Sequence, residues 1–213
     1  MNLETTEIQI PFFKAIQSAI AKLYRSGKVT SISKICGLDV AYKNDSATAA
    51  AVIWQIDKGV IEKSVTISRP FFPYVPTLLY AREAPLLLSA YANLKTIPDL
   101  VVVDGHGLAH PRRAGLATII GILLDLPTIG VAKRLLVGEV ENSGKVIAKI
   151  LYEGRCVGYR VKPEGGGAFF VSPGHRIGLS GVKRIIQLLG LRYPDVLKEA
   201  DRLARSWRQA VED

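Results

Sequence analysis

Leu100-Val101-Val102-Val103-Asp104-Gly105-His106-Gly107 continues through Leu108-Ala109-His110-Pro111-Arg112-Arg113-Ala114-Gly115-Leu116-Ala117. A solid apolar run stops at one carboxylate, and a loop rich in glycine, histidine and arginine follows. An apolar run this short, bounded by Pro98 and Gly105, reads as a strand buried on both faces. Asp104 then falls at the carboxyl end of a central strand, where open α/β sheets hold their ligands. A charged group at the lip of a buried strand needs a partner, and a metal ion is one candidate.

The rest of the chain bounds that reading. Its 213 residues, 48% of them hydrophobic, suffice for one sizeable core and are few for two. No linker composition or internal repeat divides them, so residues 1–213 are expected to form a single catalytic domain. Met1 to Ile8 carries acidic residues rather than an apolar signal core, and no run approaches membrane-spanning length. A soluble, cytoplasmic protein without a membrane partner is expected, with a monomer as the default. Twenty-eight basic residues against 19 acidic ones leave a net charge of +9, which attracts polyanions or simply keeps the surface soluble. Cys36 and Cys156 lie in apolar segments without CxxC spacing, so buried free thiols are expected and zinc is not indicated.

Periodicity orders the elements. Ile10, Phe13, Ile16, Ile20 and Leu23 give an amphipathic helix over residues 8–24. Three strands follow at 35–43, 47–56 and 60–69, separated by Asn44-Asp45-Ser46 and Asp57-Lys58-Gly59 as tight turns. A proline-rich corner at 70–76 leads into a helix at 77–93. Strand 100–104, helix 114–124 and strand 128–132 come next. A hairpin is expected across Glu153-Gly154, then a strand at 168–171, a turn at Ser172-Pro173-Gly174-His175, and helices at 178–189 and 194–211. Leu203 and Trp207 are expected to pack the last helix on the core. This α/β order resembles the ribonuclease H-like fold: a mixed five-stranded central sheet flanked by helices, here with an added β-hairpin region and C-terminal helices.

Three carboxylates stand out. Asp39 interrupts Gly37-Leu38-Asp39-Val40-Ala41-Tyr42 and alternates onto the face of Gly37 and Ala41, leaving either room for a polar group or a solvated sheet face. Glu83 falls on the helical stripe of Leu79, Leu86, Leu87 and Ala90, so it points into the protein and is neutralised or meets a cation. Pro85 is expected to kink that helix beside it. In the expected sheet order Asp39 and Asp104 lie side by side and Glu83 comes down on them. All-oxygen ligation of this kind suits Mg²⁺ or Mn²⁺ and phosphoryl transfer.

With these residues in place the chain resembles the endonuclease V family, ribonuclease H-like nucleases that act on deoxyinosine. The likeness spans Gly37 to about Leu189. It rests on Gly37–Tyr42, Pro73-Tyr74-Val75-Pro76, Arg82-Glu83, Val103–Gly107 with His110-Pro111-Arg112, Gly130-Val131-Ala132-Lys133 and Ser172–Arg176. The resemblance implies a DNA repair endonuclease that uses Mg²⁺, with Mn²⁺ as a substitute. It hydrolyses the second phosphodiester 3′ to deoxyinosine in single- or double-stranded DNA, and possible RNA substrates contain inosine. A 3′-hydroxyl and a 5′-phosphate are left. Asp39, Glu83 and Asp104 would be the metal-binding catalytic acids, with His175 and Lys133 beside the scissile phosphate. Pro73, Tyr74, Val75 and Pro76 would form a strand-separating wedge, two prolines holding an aromatic ring out to replace a base. Leu79, Leu116 and Leu136 would wall a lesion pocket, with backbone N–H groups at Gly105 and Gly107 approaching the base edge. His110, Arg112 and Arg176 would contact phosphates.

Four positions depart from the family pattern. Val75 replaces an isoleucine, Thr77 a glycine and Ile119 a histidine. Gly178-Leu179-Ser180 lacks an acidic residue, which puts a fourth carboxylate in doubt. The competing readings are a ribonuclease H-like nuclease acting on RNA or branched DNA, and a non-catalytic nucleic-acid-binding module.

Overall fold

The computed structural model describes residues 3–142 and 144–209, with side chains from residue 7 to residue 207 apart from residue 143. Its elements in chain order are α1 (Leu3–Ala21), β1 (Lys34–Lys43), β2 (Ser46–Gln55), β3 (Gly59–Ser68), α2 (Leu79–Ala92), β4 (Leu100–Asp104), α3 (Leu116–Leu124), β5 (Thr128–Ala132), β6 (Glu139–Val140), β7 (Ile147–Tyr152), β8 (Arg155–Val161), β9 (Phe169–His175), α4 (Leu179–Leu188) and α5 (Asp195–Gln209). Of the helix expected over 194–211, residues 210 and 211 lie outside the described residues. Among these residues no helix is long and apolar enough to cross a membrane.

The strands form one mixed sheet in the order β3-β2-β1-β4-β5-β9-β8-β7-β6. The first five are the expected ribonuclease H-like arrangement: an antiparallel meander, then β4 and β5 parallel to β1 and to each other. The added hairpin region extends this sheet. It joins the same sheet through β9, which pairs antiparallel with β5 and β8.

Ser172-Pro173-Gly174-His175, expected as a turn, is the end of β9. The residues are turn formers, but the register slips between Thr128 and Ile129, which face His175 and Pro173, so Gly174 is taken up as a bulge. Pro173 has no N–H to lose, and its carbonyl accepts the N–H of Leu108 at 2.7 Å. Helix α2 runs through Pro85 without a break.

Alternation divides the core. Cys36, Leu38, Val101 and Val103 face α2 and α3, with Phe13 and Ile20 of α1 packed at the margin. Ile35, Leu100, Val102, Ile129 and Val131 face α4 and α5. Gly37 allows α5 to come down on β1: a β-carbon there would stand 2.6 Å from the Val196 carbonyl oxygen. Leu203 is packed as expected, whereas Trp207 is half exposed. Both cysteines are free thiols, Cys36 buried and Cys156 partly so.

Candidate active site

Parallel pairing of β1 with β4 runs Gly37 to Val102 and Leu38 to Val103. The next step along both strands is Asp39 beside Asp104. Both share the parity of the residues facing α4 and α5, so they lie on that face of the sheet. Glu83 is on α2, which covers the opposite face. It therefore approaches around the strand ends instead of coming down on the two aspartates.

Asp39 and Glu83 are each only 8% exposed. Burial raises the Asp39 carboxyl well above the ordinary range, and the charges of Asp104, Asp201 and Glu83 add to it. One oxygen accepts the Val40 N–H at 2.8 Å. Burial pushes Glu83 up to about 7, opposed by the Tyr42 hydroxyl that donates to Oε1 at 2.8 Å and by Arg82, and reinforced by Asp104. Arg82 does not pair with Glu83 directly: it stacks 4.6 Å over the Tyr42 ring and donates to the Phe72 carbonyl. Asp104 is also raised, first by burial. Lys133 lowers it from 3.7 Å, Asp201 raises it, and a hydrogen bond from Tyr193 lowers it.

Asp201 escaped the sequence reading. The segment after His175 carries no acid, whereas α5 brings Asp201 toward the strands from between the buried Ala200 and Ala204. Its charge bears on Asp39, Asp104 and Tyr193, while Arg205 donates to it at 2.7 Å. The available signal was an acid on the small-residue stripe of an amphipathic helix. Tyr193 also escaped notice: its phenol bonds to Asp104, and its ring carries the Lys133 ammonium at 5.5 Å.

Among the described residues no three His, Cys, Asp or Glu side chains stand close enough to hold an ion as placed. Each carboxylate turns to a neighbouring donor, and the cations Lys133, Arg82 and Arg205 offset part of the charge the acids place on one another. Buried hard oxygen donors that raise one another's proton affinity are nonetheless a chemical match for a divalent cation of the Mg²⁺ type.

Other expected site residues are placed elsewhere. His175 faces Thr128 at the start of β5, the end of the sheet opposite to Asp104, which pairs with Val131. Its Nδ1 accepts the Arg25 N–H and its Nε2 lies 3.3 Å from Asp125, while Arg176 also binds Asp125. The pair braces the left-handed end of α3 rather than a phosphate near the acids. His110 and Arg112 turn inward to Thr77. Burial and the Arg112 charge push His110 down to about 4, so it is a neutral ring and not a cationic phosphate contact.

The loop after Asp104 is likewise closed on itself. Gly105 donates to the Val131 carbonyl and Gly107 to the Ser172 hydroxyl, each at 2.8 Å, so neither N–H is free for a base edge. Leu116 is buried in the core, Leu79 half buried, and Leu136 exposed on the loop after Lys133. Ile119 is also core. In the proline corner Phe72 is buried while Phe71 is exposed, and Tyr74 is 67% exposed between the half-buried Pro73 and Val75 and the exposed Pro76.

Known proteins resemble this chain in sequence and in fold. The family model described as endonuclease V matches residues 16–202. An endonuclease V of Sulfurisphaera tokodaii is 41% identical over 204 residues, covering 94% of this chain and 96% of that protein. The crystal structure of the endonuclease V from Streptomyces avermitilis superposes with a TM-score of 0.87 at 32% identity, covering 96% of this chain and 95% of that one. A Ciona intestinalis endonuclease V, solved with a 24mer DNA containing an inosine followed by a ribo-adenosine, shares the fold at 23% identity and a TM-score of 0.80. There the match covers 95% of this chain and 99% of that one.

Proposed function

The chain belongs to the endonuclease V family of nucleases, and from that premise we propose that it cuts inosine-containing DNA by Mg²⁺-dependent hydrolysis. The bond broken is the second phosphodiester 3′ to the inosine. Water adds its oxygen to phosphorus as the P–O3′ bond breaks, leaving a 3′-hydroxyl and a 5′-phosphate.

The observation that carries the proposal is Asp39 beside Asp104 on adjoining parallel strands, with the charge of Asp201 bearing on both, that of Glu83 on Asp39, and that of Asp104 on Glu83. These four acids are the residues that would hold the ion. The ion would supply an oriented, acidified water and neutralise charge building on the phosphate. Lys133, half exposed and steadied by Tyr193, presents a point charge next to Asp104 for a non-bridging phosphate oxygen. Tyr74 replaces the inosine in the base stack, held out by the stiff Pro73 and Pro76 flanks. The surplus of nine positive charges draws the backbone in from a distance.

A 5′-labelled strand with one inosine, offered as single- or double-stranded DNA and as RNA with Mg²⁺, tests this. Cleavage one nucleotide beyond the inosine, with the stated ends, is expected for DNA, and a matched guanosine strand should stay intact. Equal cutting of the guanosine strand overturns the base selection. Cutting of RNA alone moves the substrate to inosine-containing transcripts.

A further inference from the structure

The wedge ends in a turn that its sequence disfavours. Leu78 donates its N–H to the Val75 carbonyl at 2.9 Å, closing a four-residue turn with Pro76 and Thr77 at the centre. Thr77 has φ +68°. Proline followed by a positive φ is the pattern of a type II turn, whose third position is glycine's, and a β-branched residue there is a genuine outlier. Strain of this kind persists only where the surroundings over-determine the conformation.

They do so here. One Arg112 nitrogen, Nη2, donates to both the Thr77 carbonyl and the Thr77 hydroxyl, each at 2.7 Å. Nε of the same guanidinium donates to Gln17 Oε1 at 2.6 Å. Gln17, only 1% exposed on α1, in turn donates to the Ala114 carbonyl. His110 accepts the Arg112 N–H at Nδ1, which leaves Nε2 as the donor to the Thr77 carbonyl at 3.1 Å. Both halves of the Thr77 side of the turn are thus held by the loop that follows Asp104.

We propose that Thr77, Arg112 and Gln17 form a brace that fixes the wedge relative to the carboxylates, so that strand opening and bond cleavage keep a common register. The hydroxyl is the part a glycine could not supply: it gives the guanidinium a second acceptor and stops the strained peptide from turning over. Thr77, Arg112 and Gln17 are positioning residues, acting on the substrate through Tyr74. The inference rests on the reading of Tyr74 as a wedge. It matters only where a duplex must be opened, since a single strand presents its inosine already unpaired.

The test is the ratio of kcat/KM on double-stranded to single-stranded inosine DNA, with melting temperatures measured alongside. Thr77→Val keeps the shape and removes the acceptor, and it should lower the ratio about tenfold, the scale of losing a hydrogen bond to a charged group. Thr77→Ser keeps the acceptor and should hold the ratio near that of the parent. Arg112→Lys keeps the charge without the fork and should reproduce the valine result. Valine and serine variants with equal ratios, or losses on single strands as large as on duplexes, overturn the brace. The second outcome at Arg112 would instead make it a phosphate contact. Tyr74→Ala separates the two layers. A lowered ratio there, with an unchanged ratio in Thr77→Val, leaves the wedge standing and removes the brace. An unchanged ratio in Tyr74→Ala removes both.

Discussion

Asp104→Asn is expected to lower cleavage of an inosine strand by on the order of 10³-fold or more, the scale of losing one electrostatic stabiliser of a phosphoryl-transfer centre. Asparagine is isosteric and still accepts the Tyr193 hydrogen bond, so the end of β4 keeps its shape. One negative charge leaves a cluster in which Asp39 and Glu83 are both raised partly by Asp104. Affinity for the inosine strand should therefore hold or tighten, because a phosphate meets less repulsion, and the folded protein should lose no stability. Binding and cleavage measured on the same oligonucleotide separate these effects. A variant that cuts within tenfold of the parent removes Asp104 from the chemistry.

Gly107→Ala is the other large effect, and it acts on the fold. A β-carbon at Gly107 would stand 2.0 Å from the Pro173 carbonyl oxygen, which already accepts the Leu108 N–H. The glycine donates to Ser172 and accepts from Gly115, so it cannot move aside without undoing the joint between β4, β9 and α3. Overpacking at such a point costs about 3 kcal/mol, and for a chain of this size that lowers the melting temperature by roughly 6–12 °C. Thermal denaturation of the variant checks this. An alanine variant as stable as the parent, with altered choice between inosine and guanosine, would return Gly107 to the base-contacting role its sequence suggested.

Gly107 illustrates where sequence was legible and where it was not. Hydrophobic alternation and turn residues placed the meander, β4 and β5 within a residue or so, because each of those signals is local. The same signals misread Ser172–His175, whose turn chemistry was overridden by pairing with β5 across a bulge. Asp39, Glu83 and Asp104 were visible because a charge inside an apolar pattern is conspicuous. Asp201 was not, because its helix is polar enough to carry an acid without comment and only the packing of α5 on Gly37 brings it to the strands. His175 and Arg176 were drawn to the site by motif, but antiparallel pairing carries that end of β9 away from it. Arg112 had the right residue type for a phosphate, yet its donors are turned to Thr77 and Gln17.

The shared-ion centre is tested most directly by melting temperature at pH 8 and pH 5.5, with and without Mg²⁺. In the metal-free protein Glu83 titrates near 7, above its ordinary value, so its contribution to stability is full at low pH and is lost as pH rises through about 7. Asp39 and Asp104 are shifted in the same direction. At pH 8 these acids are ionised and repel one another, so a bound cation should raise the melting temperature by several degrees, following the linkage of about 2.7 kcal/mol at a hundredfold excess over Kd. At pH 5.5 protons compete for the same oxygens, and the gain should shrink. It should vanish at both values in Asp39→Asn with Asp104→Asn. A Mg²⁺ effect of equal size at both pH values, or one that survives in the double variant, would mean that these carboxylates do not hold the ion.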